Sequence, residues 1–230
     1  MLIPKGALVV SCQARVDNPL HGAIYMSAMA RAAEAGGAKG IRANGEEDIA
    51  AIRAVTDLPI IGIAKNWDDR FPVYITPGFE QAARIARAGA DIVGLDATPR
   101  PRDGEPVERL IGRIRGELGK EVFADIATPE EGRAAHAYGA TYIATTLSGY
   151  TEETASRKTA APDLELLSAL VAGVPAPVVA EGRFYTPDLV AEAFRRGAYA
   201  VVVGTAITNP REITKKFAQA AEGWASTERV

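Results

Sequence analysis

Eight short apolar runs recur along the chain, and this repetition narrows the choice of fold more than any other feature. They are ALVVSCQ (7–13), KGIRA (39–43), PIIGIAK (59–65), ADIVGLD (90–96), EVFADIA (121–127), ATYIATT (140–146), APVVAEG (176–182) and AYAVVVG (198–204). Each is rich in Val, Ile or Ala and mostly apolar at successive positions, the pattern of strands covered on both faces, as in a parallel sheet. Between them lie stretches with apolar residues three and four apart, such as EDIAAIRAV (47–55), AARIARA (82–88), VERLIGRIRGEL (107–118) and DLVAEAFRR (188–196). These predict amphipathic helices.

Three Thr-Pro pairs, at 76–77, 128–129 and 186–187, punctuate the alternation, each followed by a helix that closes on a Gly-Ala pair at 89–90, 139–140 or 197–198. Thr caps a first turn, Pro at the first helical position gives up no hydrogen bond, and Gly permits the left-handed residue that stops a helix. All three are read as helix starts. Thr128 with Glu131 has the spacing of a capping box, and Asn209-Pro210 with Glu212 repeats the device for the last helix.

Eight strand–helix units in 230 residues predict an α/β fold of the (β/α)8 TIM-barrel type, with residues 1–230 as one domain. A doubly wound open sheet is the rival. No GxGxxG follows its first strand, however, and GELGK (116–120) is too short for a GxxxxGK phosphate loop. The formal net charge of -3 argues against nucleic acid as a partner. No apolar segment approaches the ~18 residues that span a bilayer, and the N-terminus lacks the pattern of a secretory signal; the expectation is a soluble, cytoplasmic protein without membrane partners. A single cysteine, Cys12, excludes internal disulfides and Cys-based zinc clusters, and its apolar setting predicts an inert buried thiol. The longest irregular stretch, 148–163, is read as a polar loop over one face.

In such barrels the chemistry lies at the C-terminal ends of the strands. Those ends carry Gln13, Arg42, Lys65, Asp96, Asp125 and Glu181. Alternation puts Lys65 on the face of Ile61 and Ile63, Asp125 on that of Phe123, and Glu181 on that of Val179. A rim with two cations and three carboxylates is costly to bury without a partner and predicts a polar ligand. Strands 3 and 7 are four apart in a ring of eight, so Lys65 and Glu181 face each other across the mouth. Two readings follow. Opposed groups could remove and return a proton at carbon, with Lys65 made neutral by desolvation and by Arg42. Alternatively, the two simply form a salt bridge. Gly182-Arg183 after strand 7 and Gly204-Thr205 after strand 8 lie where this fold commonly binds phosphate. There glycines let N–H groups approach an anion, and Arg183 could add a charge-assisted contact. The residues by themselves thus suggest an enzyme acting on a phosphorylated small molecule by acid/base chemistry, with no metal and no redox cofactor.

Several segments together resemble a known family: SCQA (11–14), GIRANG (40–45), PIIGIAK (59–65), AGADIVGLDAT (88–98), ADIAT (124–128), ATTLSGYT (144–151), PVVAEGRFYTP (177–187) and AVVVGTAITNPREIT (200–214). In this order they resemble the bacterial N-acylglucosamine-6-phosphate 2-epimerases, also called N-acetylmannosamine-6-phosphate 2-epimerases. The resemblance implies a ribulose-phosphate-binding type of barrel with no required cofactor, in the form of a homodimer. It also implies interconversion of N-acetylmannosamine 6-phosphate and N-acetylglucosamine 6-phosphate, in sialic acid and amino-sugar catabolism. By motif position Lys65 and Glu181 match the catalytic residues, and Gln13, Arg42 and Asp125 the substrate-binding ones. Arg183 matches a ligand contact, and the loops of Gly182-Arg183 and Gly204-Thr205 the phosphate site. Asp96 stands as either a family motif residue or a brace between strands, and His21 as a neighbour of strand 1 without a set role. Two rivals stay open: another phosphate-binding barrel isomerase or lyase, and a non-catalytic sugar-phosphate sensor.

Overall fold

A computed structural model describes residues 1–67 and 70–227. Eight strands, β1 (Ala7–Cys12), β2 (Gly40–Asn44), β3 (Ile60–Ile63), β4 (Ile92–Asp96), β5 (Glu121–Asp125), β6 (Tyr142–Ala144), β7 (Val178–Glu181) and β8 (Ala200–Val203), form a closed barrel in sequence order. All eight pairings are parallel, and β8 returns to β1 with Val202 opposite Val9. The crossover helices are α1 (Ala23–Ala35), α2 (Glu46–Arg53), α3 (Phe79–Arg87), α4 (Val107–Glu117), α5 (Pro129–Ala137), α6 (Leu164–Gly173) and α7 (Pro187–Arg195). A four-residue helix, α8 (Thr205–Thr208), and the longer α9 (Pro210–Thr227) complete the chain. No helix among the described residues is long and apolar enough to cross a membrane.

Seven of the eight predicted runs contain their strand, and the eighth, 39–43, falls one residue short of β2, which runs on to Asn44. The barrel interior holds Val9, Ile61, Ile92, Phe123, Tyr142, Val179 and Val202, while a larger apolar layer lies between strands and helices. Alternation therefore decides orientation as expected. Gly62, one residue from Ile61, faces the helices, where an added Cβ would meet the Ala90 Cβ at 2.5 Å and the Ile49 Cδ1 at 3.0 Å. Cys12 is fully buried, and burial, aided by Asp48, pushes its thiol up to about 12. It is therefore a packing residue without thiolate character at neutral pH. The floor of the barrel is closed by Ile3, which is buried between Tyr142 and Tyr199. Its N–H donates to the Tyr142 hydroxyl at 3.1 Å, and its carbonyl accepts from the Tyr199 hydroxyl at 3.0 Å.

Two of the three Thr-Pro pairs start helices as predicted. Thr128 and Glu131 form the full capping box on α5, and the Thr186 hydroxyl accepts from the Leu189 N–H on α7. Asn209 does the same for α9, accepting from the Glu212 N–H at 3.3 Å. Thr76 is the exception, because α3 begins three residues later with Gly78 as its cap. The chain after β3 doubles back on itself: Lys65 bridges Ile75 antiparallel, and the Thr76 N–H donates to the Ala64 carbonyl at 2.9 Å. Thr76 closes this excursion with φ 45, its hydroxyl donating to the Gly94 carbonyl at 2.6 Å and accepting from the Ala64 N–H at 3.0 Å.

Candidate active site

The polar strand ends converge on the barrel mouth, and Arg42 is their hub. In the middle of β2 it is 1% exposed, beneath solvent and above the Phe123 ring, whose centroid lies 5.2 Å from the guanidinium carbon. A buried cation is tolerable only when paired. Two strands supply the partners. Asp125 of β5 takes both Nη atoms of Arg42, at 2.9 and 2.7 Å, in a bidentate fork, and Glu181 of β7 accepts from Nη1. Burial works against the charge, but Asp125 and Glu181 outweigh it and hold the guanidinium protonated above its ordinary range. The Thr146 hydroxyl donates to Asp125 Oδ1 at 2.6 Å, so that carboxylate is largely consumed in orienting Arg42.

Lys65 lies two residues past the end of β3, with its N–H donating to Asn44 Oδ1 at 2.8 Å. Burial, reinforced by Arg42, lowers its ammonium to about 8; Glu181 opposes the shift without cancelling it. Among the described residues Lys65 forms no ion pair with Glu181, whose partner is Arg42. Of the two sequence readings, the salt bridge is thus absent among the described residues, and the amine at the mouth loses its proton far more readily than an ordinary lysine. The Glu181 carboxyl is raised by burial; Arg42 pulls it back down, and Asp125 adds a smaller push upward. It is 13% exposed, so it reaches the mouth while remaining mostly enclosed.

Gln13, after β1, donates through Nε2 to the Ser11 hydroxyl at 2.9 Å, and its buried Oε1 has no hydrogen-bond partner among the described residues. Buried unpaired acceptors are uncommon, and this one belongs to a residue expected to meet ligand. Asp96 ties down the loop that follows its own strand; its side chain does not brace neighbouring strands among the described residues. It is fully buried, accepts from the Thr98 N–H and hydroxyl at 2.9 and 2.6 Å, and pairs with Arg100 at 2.6 Å. His21 lies exposed on the loop after β1, where its Nδ1 is 3.1 Å from the Ala14 carbonyl.

At the glycine loops, Gly182 and Arg183 both take left-handed backbone, with φ 107 and φ 62, directly after Glu181. The N–H groups of Gly182, Arg183, Gly204 and Thr205 make no hydrogen bond to the rest of the described chain. Gly204 lies close over β1, where an added Cβ would meet the Ser11 Cβ at 3.3 Å. The Arg183 guanidinium, expected on a ligand, is instead spread over the loop between β6 and α6. It donates to the carbonyls of Ala161 and Ser148, both at 2.7 Å, and of Arg157 at 3.5 Å.

Sequence reasoning missed Thr145, Thr146, Asn44 and Tyr74. The threonines follow a three-residue strand in the run ATYIATT, where they look like strand residues; only the neighbouring strands show what they bind. Tyr74 stacks on Trp67, ring centroids 4.2 Å apart, and feels the charges of Asp125 and Asp96. Among the described residues no group of three His, Cys, Asp or Glu side chains could hold a metal ion.

An amine of lowered pKa across the barrel from a largely enclosed carboxyl, above a fixed guanidinium and beside four unpaired N–H groups, suits proton transfer at carbon in an anionic substrate. Comparison with known proteins points the same way. Residues 26–223 match the family described as "Putative N-acetylmannosamine-6-phosphate epimerase". The chain is 47% identical over 215 residues to the "Putative N-acetylmannosamine-6-phosphate 2-epimerase" of Caldanaerobacter subterraneus subsp. tengcongensis, covering 93% of this chain and 90% of that one. It is similar in structure to the N-acetylmannosamine-6-phosphate 2-epimerase from Clostridium perfringens, with a TM-score of 0.91 and 44% identity over 95% of this chain and 94% of that one. A thiamine phosphate pyrophosphorylase from Pyrococcus furiosus shares the fold alone, at a TM-score of 0.63 and 21% identity over 94% of this chain and 93% of that one.

Proposed function

Because the chain belongs to the N-acetylmannosamine-6-phosphate epimerase family, we propose that it inverts C2 of N-acetylmannosamine 6-phosphate with Lys65 as the group that moves the proton. Inversion at that carbon yields N-acetylglucosamine 6-phosphate, placing the reaction in amino-sugar and sialic acid catabolism. The observation that carries the proton assignment is the amine of Lys65, lowered to about 8 and unpaired with the carboxyl it faces.

The C2 proton of the open-chain sugar is acidic because C1 is an aldehyde, and the carbanion delocalises onto O1. A base near its operating pH removes such a proton most effectively. Lys65 takes it from one face. Glu181, across the barrel and raised by burial, serves the other face. Arg42 supplies fixed positive charge for the developing enolate, and Asp125 holds Arg42 in place. Gln13 offers its unpaired Oε1 to a sugar hydroxyl or the amide N–H. The N–H groups of Gly182, Arg183, Gly204 and Thr205 cradle the phosphate. No cofactor is required by this scheme, and a phosphorylated substrate, which does not cross bilayers, fits a cytoplasmic enzyme.

A homodimer is also part of this reading. Helix α9 exposes Phe217 at 74% and Trp224 at 65%, an apolar display that a second copy would cover.

The test is N-acetylmannosamine 6-phosphate in D2O, followed by proton NMR. N-Acetylglucosamine 6-phosphate should appear with deuterium at C2. Lys65→Ala should lose both product and exchange, by orders of magnitude. Binding without exchange in the unaltered protein would reject the proposal in favour of a sensor.

A further inference from the structure

The turn after Glu181 is strained. Gly182 and Arg183 are successive left-handed residues, at φ 107 and φ 62, and the second carries a side chain that disfavours this region. Something must hold it. The Arg183 guanidinium reaches carbonyls near the start, middle and end of the 148–163 loop: Ser148 at 2.7 Å, Arg157 at 3.5 Å and Ala161 at 2.7 Å. The Tyr150 ring lies 5.6 Å from its carbon, adding a cation–π contact. One side chain thus gathers the whole loop.

The root of the same loop grips the catalytic layer. The Thr145 hydroxyl donates to the Glu181 carbonyl at 2.9 Å and accepts from the Glu181 N–H at 3.0 Å. The next hydroxyl, of Thr146, donates to Asp125 at 2.6 Å. The peptide of Glu181 is therefore bracketed, by Thr145 on one side and by the turn that Arg183 fixes on the other. A second tie closes the loop independently, the Ser148 hydroxyl donating to Asp163 Oδ2 at 2.6 Å.

We propose that the side chain of Arg183 is a positioning group and makes no contact of its own with the phosphate: it staples the 148–163 loop to the turn after β7 and so holds the Glu181 carboxylate toward the mouth. This rests on the reading of Glu181 as the acid/base on one face of the sugar. A planar fork meeting several carbonyls is a geometry that lysine cannot reproduce.

Arg183→Lys and Arg183→Ala separate the two roles. Under the proposal both lower kcat, by about 10- to 100-fold, the range that a displacement of order 1 Å produces. Any change in KM for the phosphorylated sugar is alike in Arg183→Lys and Arg183→Ala and smaller than the fall in kcat, since it comes through the turn and its N–H groups and not through the charge of the side chain. Because Lys65 keeps its place, deuterium exchange into unreacted substrate falls less than product formation. Trypsin, which cuts after Arg157 and Lys158, cleaves the released loop faster in both variants. Ser148→Ala, which loosens the loop from its other tie, gives a weaker form of the same pattern and serves if the Arg183 variants fold poorly. A tenfold rise in KM at unchanged kcat, spared in Arg183→Lys, with unaltered tryptic cleavage, would overturn the proposal and make Arg183 an anion contact. Failure of the epimerase reading itself appears elsewhere, as absence of C2 exchange in the unaltered protein, and leaves the tryptic result standing.

Discussion

At the residue scale, the site is organised by one expensive group. Arg42 is buried as deeply as any core leucine, and Asp125 and Glu181 make that burial possible. Removing one partner of a buried pair costs about 3–5 kcal/mol, because the remaining charge is left uncompensated. Asp125→Ala should therefore lower the midpoint of thermal unfolding by many degrees as well as abolish turnover, and calorimetry checks it. Lys65 carries the opposite liability. Its amine must lose its proton to act, so the rate should rise with pH through about 8 and level off above it. Stability follows the same direction. The unfolded chain, with an ordinary lysine near 10.5, binds more protons between about 8 and 10.5, so folding gains stability as pH rises through that window and loses it as pH falls. Lys65→Met should consequently be inactive yet more stable near neutrality, by about 1–2 kcal/mol after allowance for solvent at the mouth, and the advantage should vanish at pH above about 10.5. A denaturant titration at pH 7 and at pH 11 measures the difference.

At the scale of the element, identical dipeptides do different work. Thr128→Ala should cost about 1 kcal/mol, the worth of a helix cap. Gly62→Ala should cost about 1–3 kcal/mol, because its Cβ would collide with Ala90 and Ile49 in a filled layer. Both should leave KM unchanged, since each lies on the helix side of its strand or beyond it; urea unfolding and steady-state kinetics check the pair. The strands, their orientation and the two true Thr-Pro caps were legible because they rest on period and local hydrogen bonding. Thr76 was not, since nothing in the run KNWDDRFPVYITP announces that the chain folds back on Lys65. Lys65, Glu181, Arg42 and Asp125 were legible as a rim because they end apolar runs. The pairing of Arg42 with Asp125 and the turning of Arg183 toward a loop depend on how distant strands and loop carbonyls meet, which leaves no trace in residue order.

For the molecule as a whole, α9 is the element least explained by the barrel. It packs chiefly against α8, and much of its length is exposed. Phe217→Glu should shift the sedimentation of the protein toward a single copy if α9 covers a second chain, and leave it unaltered otherwise. The Arg42 hub has a consequence for how the polypeptide comes into being. Its partners arrive from the fifth and seventh strands, so a nascent chain that has extruded only its first four strands carries the guanidinium without either of its native carboxylates. The first half of the barrel is thereby denied a comfortable resting place, and the charge can be sequestered only as the later strands swing into register. What serves the finished molecule as electrostatic scaffolding serves the growing one as a latch against premature closure.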